Sequence, residues 1–182
     1  MNFADFVGWS STVTAMATRF EHSVDYPFST ARLWELFSVE NYWIDLLKEI
    51  NGDYGVLEEF TRAGDTVTVA MPQSIPEAKL PSIITTVRRG DLKIPRRFTL
   101  KYAGGNISGD TKASVSGVSA GITGSQTSSG DKASTLYRGE IKVSIPFVGG
   151  KIERIVKNEL VDLFNSERDE TISWESRNRS QG

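Results

Sequence analysis

The chain has no cysteine among its 182 residues and only one histidine. The first absence excludes disulfides, zinc–thiolate sites, iron–sulfur clusters and thiol nucleophiles together, and it fits a reducing compartment. With one histidine, a metal site would rest on carboxylates, and the Asp and Glu residues show no calcium-loop spacing. No metal and no cofactor is expected. An excess of either charge is also lacking: 21 Lys and Arg stand against 23 Asp and Glu, a net charge of −2. No global field favours a phosphate backbone, so nucleic acid is not an expected partner. No apolar run approaches the roughly 20 residues that span a bilayer. The N-terminus reads without the basic region and continuous apolar core of a secretory signal. These absences point to a soluble, cytoplasmic protein. At this length it is most simply one domain, able to bury roughly 70% of the surface its unfolded chain exposes.

What the sequence does have is concentrated in its last third. From Thr135 to Ile145, Tyr137, Ile141, Val143 and Ile145 share one face and Arg138, Glu140 and Lys142 the other, the period of a half-buried strand. Pro146-Phe-Val-Gly-Gly150 then leads into a long helix reaching Trp174. On that helix Ile152, Ile155, Val156, Leu160, Leu163, Phe164 and Trp174 form one apolar stripe that needs a partner surface. A curved sheet with one apolar face is the natural partner, and a helix laid across it encloses a space.

The earlier elements follow the same logic. Phe20, His22, Val24 and Tyr26 alternate with Arg19, Glu21, Ser23 and Asp25 in a strand that stops at Pro27. Ser29 reads as the N-cap of a short helix, Ala31 to Phe37. A second helix, about Glu40 to Ile50, ends at Asn51-Gly52. Strands at Tyr54 to Thr61 and Thr66 to Gln73 flank a hairpin turn at residues 62–65. Ser82 to Arg89 reads as one helical turn or two. Leu92 to Tyr102 alternates as a single strand with Arg96 on its inner face. The Gly-, Ser- and Thr-rich stretch 104–131 reads as a weakly patterned strand, Thr111 to Ala120, followed by a mobile hairpin loop, in preference to a linker. Residues 1–15 carry none of this patterning and read as a poorly ordered extension upstream of a natural start at Met16. Residues 16–176 read as one domain and 177–182 as a disordered tail.

Several short motifs lack the context their chemistry requires. Gly117-Val-Ser-Ala-Gly121 matches a nucleophile elbow, but the single histidine lies far upstream and no helix follows Ser119. Gly149-Gly150-Lys151 lacks the full phosphate-loop spacing and reads as a tight turn. Glu167, Asp169 and Glu170 read as a solvated helix face.

The polar groups that parity turns inward are more informative. His22 lies between Phe20 and Val24, and Arg96 between Ile94 and Phe98. A buried guanidinium requires a carboxylate, and Glu167, Glu159 or a ligand's acid head would supply it.

The order of elements resembles the helix-grip fold of the START-like superfamily, which includes pollen allergens, lipid-transfer START domains and polyketide cyclases. Within it the chain is most similar to an actinobacterial family of unknown function, DUF2505. The resemblance rests on Met16-Ala-Thr-Arg-Phe-Glu-His-Ser-Val-Asp-Tyr-Pro27, Leu33-Trp34, Leu80-Pro81-Ser82, Gly90-Asp-Leu-Lys-Ile94 and Pro146-Phe-Val-Gly-Gly-Lys-Ile-Glu153. It implies an α+β architecture: an antiparallel sheet of six to seven strands wrapped around the long C-terminal helix, with two short helices after the first strand. It also supports Met16 as the first residue of the domain.

Three functional readings remain open at this point. The first is a non-catalytic module holding a hydrophobic small molecule or lipid between sheet and helix. Its walls would be Phe20, Val69, Met71, Phe98, Tyr102, Tyr137, Ile141, Val156, Leu160 and Phe164, with Arg96 and His22 orienting a polar head. The second is a cyclase- or hydratase-like enzyme using the same space, with His22 as acid or base and Arg96 stabilising an enolate. The third is a closed core whose surface binds another protein, although no pattern identifies that partner.

Overall fold

The strand Thr18–Asp25, β1, buries Phe20 and Val24 and exposes Arg19, Glu21, Ser23 and Asp25, as its alternation dictates. The computed structural model describes residues 17–179, so the readings of residues 1–15 and of Met16 lie outside the described residues. Helix α1, Thr30–Phe37, begins at Ser29, whose side-chain oxygen accepts the Arg32 backbone N–H at 3.2 Å. Helix α2, Glu40–Asn51, stops at Gly52, where φ reaches +55°.

A single 3₁₀ turn occupies Gly52–Tyr54, so the next strand, β2, is confined to Glu59–Ala63. It turns through Gly64, at φ +59°, into β3, Thr66–Ala70. A short strand β4, Gln73–Ile75, is followed by a second 3₁₀ turn, Glu77–Lys79, and helix α3, Ser82–Val87. The remaining elements are β5 (Leu92–Ile94), β6 (Arg96–Ala103), β7 (Asn106–Ser114), β8 (Ala120–Ser129), β9 (Ser134–Val143) and helix α4, Gly149–Arg179.

The structure departs from the sequence expectations at four places. The single strand expected over Leu92 to Tyr102 is two strands parted at Pro95. β5 pairs with β4 in a separate two-stranded sheet, while β6 enters the main one. Proline has no N–H to give to a ladder, which makes it a natural breakpoint. The weak strand expected over Thr111 to Ala120 is in fact centred on a turn: β7 ends at Ser114, Gly117 stands at φ +78°, and β8 runs on to Ser129. The stretch expected to be a mobile loop is thus a ten-residue strand, paired on both sides. Helix α4 also runs past Trp174 to Arg179, into what reads as tail.

The main sheet has seven antiparallel strands in the order β1-β9-β8-β7-β6-β3-β2. Helix α4 packs against β1, β9 and α2, and α1 packs against α2 and β7. The core lies between these layers and includes the fully buried Leu33, Val67, Val69, Leu100 and Ile107. Each such side chain contributes about 1.5–3 kcal/mol of transfer free energy. At the C-terminal half of α4 the filling is aromatic: Trp174 meets the edge of Tyr42, Tyr42 meets Trp43, and Trp43 lies 5.2 Å from Phe98.

Candidate functional site

Strand register lays the inner face of the sheet out in rows. One row reads Arg96, Ala113, Ile122, Ile141 and Thr18; the next reads Val69, Phe98, Thr111, Gly124, Gly139 and Phe20. The third reads Leu100, Gly109, Gln126, Tyr137 and His22. Apart from Ile122, the middle of each row, on β7 and β8, is thus built from small or polar residues. The largest side chains, Arg96, Phe98, Leu100, Tyr137 and Phe20, lie toward the ends. Phe20 and Leu100 lean over the adjacent glycines: a Cβ on Gly139 would stand 2.6 Å from the Phe20 ring, and one on Gly109 would stand 2.5 Å from Leu100.

Arg96 reaches inward over the Phe98 ring and meets α4. Its two terminal nitrogens donate to the two carboxylate oxygens of Glu167 at 2.6 and 3.3 Å, and 12% of each side chain remains exposed. Burial works against the guanidinium charge, but the Glu167 carboxylate outweighs it, so the Arg96 proton is held more tightly than usual. The fork-to-fork geometry makes this a strong, directional pair. Of the carboxylates that parity offered, the structure brings Glu167 to Arg96. Glu159 is exposed.

Three phenols surround this charge pair. Tyr42 and Tyr137 are pushed well above the ordinary phenol range, by burial first and then by nearby negative charge, including Glu167. Tyr26 is raised chiefly by burial and then by Glu167. The Tyr42 hydroxyl is 2.8 Å from Thr171 Oγ1, and Thr171 in turn donates to the Glu167 carbonyl at 2.6 Å. The α4 turn that carries Glu167 is therefore fixed by the core beneath it.

His22 is placed differently. Its Nε2 lies 2.9 Å from Asn165 Oδ1, and its ring stacks at 6.4 Å on Phe164. Phe164 also lies face to face with Tyr137 at 4.0 Å and approaches Phe20 at 6.1 Å. Four of the expected wall residues sit deep in the core: Val69 and Ile141 are closed off, Met71 likewise, and Phe98 lies under Trp43. Tyr102 stacks on Trp34, beneath α1. Of the remaining expected wall residues, Val156 and Leu160 are half-buried on α4.

These two belong to a wider pattern. Ile83 and Ile84 of α3, Ala120 and Ile122 of β8, and Ile145 and Val148 before α4 are also apolar, half-buried and packed on the core edge. All lie toward the N-terminal half of α4 and the β7–β8 turn, where Val143 pairs with Ala120 and Arg88 of the α3 end approaches Gly117. Along α4, Val156 and Leu160 are thus half-buried between the buried Ile152 and the buried Phe164, with Glu167, the partner of Arg96, one turn further on.

Two hollows border the outward face of the sheet. One of about 490 Å³ is lined mainly by outward-facing residues of the sheet, including Ala70, Arg97, Lys112 and Thr123. Another, of about 700 Å³, is likewise bordered by Arg19, Glu21, Arg138 and Glu140, which form ion pairs on that face. Among the described residues no group of three His, Asp or Glu is arranged to hold a metal ion, and no helix is long and apolar enough to cross a membrane.

Sequence reasoning missed Glu153. This buried carboxylate accepts the Thr18 hydroxyl at 2.7 Å and the Val143 N–H at 2.8 Å, tying the first turn of α4 to β1 and β9. Its position in the Pro146–Glu153 motif was the available signal. Asn165, the partner of His22, gave none.

The crystal structure of the Zhui aromatase/cyclase from Streptomyces sp. R1128 matches with a TM-score of 0.54 at 13% identity, over 85% of this chain and 93% of that one. Protein Ms6760 from Mycobacterium smegmatis matches with a TM-score of 0.51 at 10% identity, over 88% and 92%. At such identities the likeness shows the helix-grip fold alone. In sequence, the uncharacterized protein Rv0481c of Mycobacterium tuberculosis is 30% identical over 174 residues, covering 90% of this chain and 99% of that protein. The family model described as "Protein of unknown function (DUF2505)" matches residues 21–174, so the chain belongs to the DUF2505 family.

Proposed function

We propose that this protein binds a hydrophobic small molecule or lipid between the N-terminal half of α4 and the inner face of β7 and β8. The observation that carries this reading is the contrast along α4. Its C-terminal half is seated on interlocked aromatic rings, whereas Val156 and Leu160 of its N-terminal half are half-buried, and the inner face of β7 and β8 carries the small residues Thr111, Ala113 and Gly124. Half-covered apolar walls with a few polar groups beneath are the usual composition of a small-molecule site. The reading takes the protein as cytoplasmic, in keeping with its lack of cysteine.

His22 is tied to Asn165 and covered by Phe164, an arrangement that supports a structural tether rather than an acid or base facing a substrate. Binding without chemistry is therefore the favoured form of the proposal. Native mass spectrometry of gently purified protein, with a denatured run to identify what is released, tests it. An added mass that dissociates as an apolar compound is the expected result. A clean apo mass, with no thermal shift across a panel of long-chain alcohols, esters and aromatic ketones, overturns it.

A further inference from the structure

Resting on that reading, we infer that the occupant is uncharged where it meets the protein: an apolar molecule with a hydroxyl or keto oxygen, and not a free fatty acid or an amine. The floor of the site is the Arg96–Glu167 pair, whose charges cancel and whose fork is occupied on both sides. A ligand carboxylate placed there would face the Glu167 carboxylate. To neutralise it, Arg96 would have to leave a bidentate partner in a place where only 12% of each side chain meets solvent. A ligand ammonium would meet Arg96 with the same difficulty. Burying an unmatched charge costs far more than burying a neutral polar group that finds a hydrogen bond.

The neutral partners for such an oxygen are present on the second and third rows. Thr111 and Gln126 turn inward, half-buried, and neither the hydroxyl nor the amide has a hydrogen-bond partner among the described residues. Together they offer an O–H donor, two N–H donors and acceptor oxygens on the same inner face of the sheet as Arg96. Two donors of the Arg96 guanidinium are committed to Glu167, which leaves its others to reinforce a neutral acceptor.

The test compares dodecanol with dodecanoate, of equal chain length, by native mass spectrometry and intrinsic tryptophan fluorescence, at a pH where the acid is ionised. Wild-type protein should bind the alcohol at least about tenfold more tightly. Glu167→Gln, which leaves Arg96 unbalanced, should close or invert that gap. Arg96→Gln should widen it and admit dodecylammonium, and this second variant serves if the first fails to fold. Equal affinity of the wild type for alcohol and acid overturns the selectivity while leaving the binding reading standing. A preference that neither variant moves overturns it too, because the preference then arises elsewhere. If neither probe binds up to its solubility, the binding reading and the selectivity fall together.

Discussion

The Phe20 ring lies directly over Gly139, its cross-strand partner, so closely that a Cβ on that glycine would stand 2.6 Å from Phe20 Cζ and 2.4 Å from the Thr123 carbonyl oxygen. Neither neighbour has room to retreat, since Phe20 is held by Phe164 and the carbonyl belongs to the ladder. Gly139→Ala should therefore cost about 1–3 kcal/mol of unfolding free energy in a urea melt. Gly121→Ala, where the added carbon meets only the Ala113 oxygen at an ordinary 3.6 Å, should stay within about 0.5 kcal/mol. Equal effects at the two sites would show that the close approach is not what matters.

The Arg96–Glu167 pair makes a second, asymmetric prediction. Arg96→Met or Glu167→Met alone leaves an unmatched charge at a nearly buried position and should destabilise by about 3–5 kcal/mol. The double substitution removes both charges and should recover most of that loss. A double variant no more stable than the single ones would show that the pair itself, and not the avoidance of a lone charge, holds α4 to β6.

Alkaline titration reads the phenols. Tyr26, Tyr42 and Tyr137 have folded-state pKa values raised above the unfolded value of about 10, first by burial. The folded state therefore holds their protons more tightly. The stability this contributes is complete below the unfolded pKa and is lost as pH rises beyond it. Of the five tyrosines, these three should ionise only as the helix signal collapses. Phenolate absorbance followed alongside circular dichroism checks this. All five ionising with the helix signal intact would contradict it.

Phe147 supplies a stabilising prediction. Its ring is fully exposed, at 108%, and its φ of +69° is one that only glycine adopts without cost. Phe147→Gly should raise stability by about 1 kcal/mol, since relief of the left-handed backbone outweighs the added chain entropy and no packing is lost. A lower urea midpoint would mean that the ring has a contact in solution.

How much was legible depended on what each residue faces. β1, β9 and α4 alternate or repeat cleanly because large apolar groups on one face meet the core, so their periods survive in sequence. Ser29 and Gly52 marked the ends of α1 and α2 because a cap and a positive φ demand particular side chains. β7 and β8 were blurred for the opposite reason: their inner residues Gly109, Thr111, Ala113 and Gly124 are small, so alternation leaves little trace. The Arg96–Glu167 contact followed from parity, since an inward arginine demands a carboxylate. The Glu153 and His22–Asn165 contacts did not, because they join residues 135 and 143 positions apart and depend on where α4 comes to rest. Parity gives the face but not the depth, so in sequence the fully buried Val69, Met71 and Ile141 look no different from the half-buried Val156 and Leu160.

The seating of β1 beside β9 also sets a timetable. β1 is an outer strand of the sheet and its neighbour arrives late, with Arg19 and Glu140 separated by 121 positions. On a ribosome, the first strand would wait with one apolar face uncovered until nearly the whole chain had emerged. Pairings of such long range are slow to form and leave exposed edges in the interval. A chain stopped before β9 would have neither a partner for β1 nor α4 to cover it. A product shortened before β9 should thus leave Phe20 and Val24 uncovered and be prone to aggregation and proteolysis.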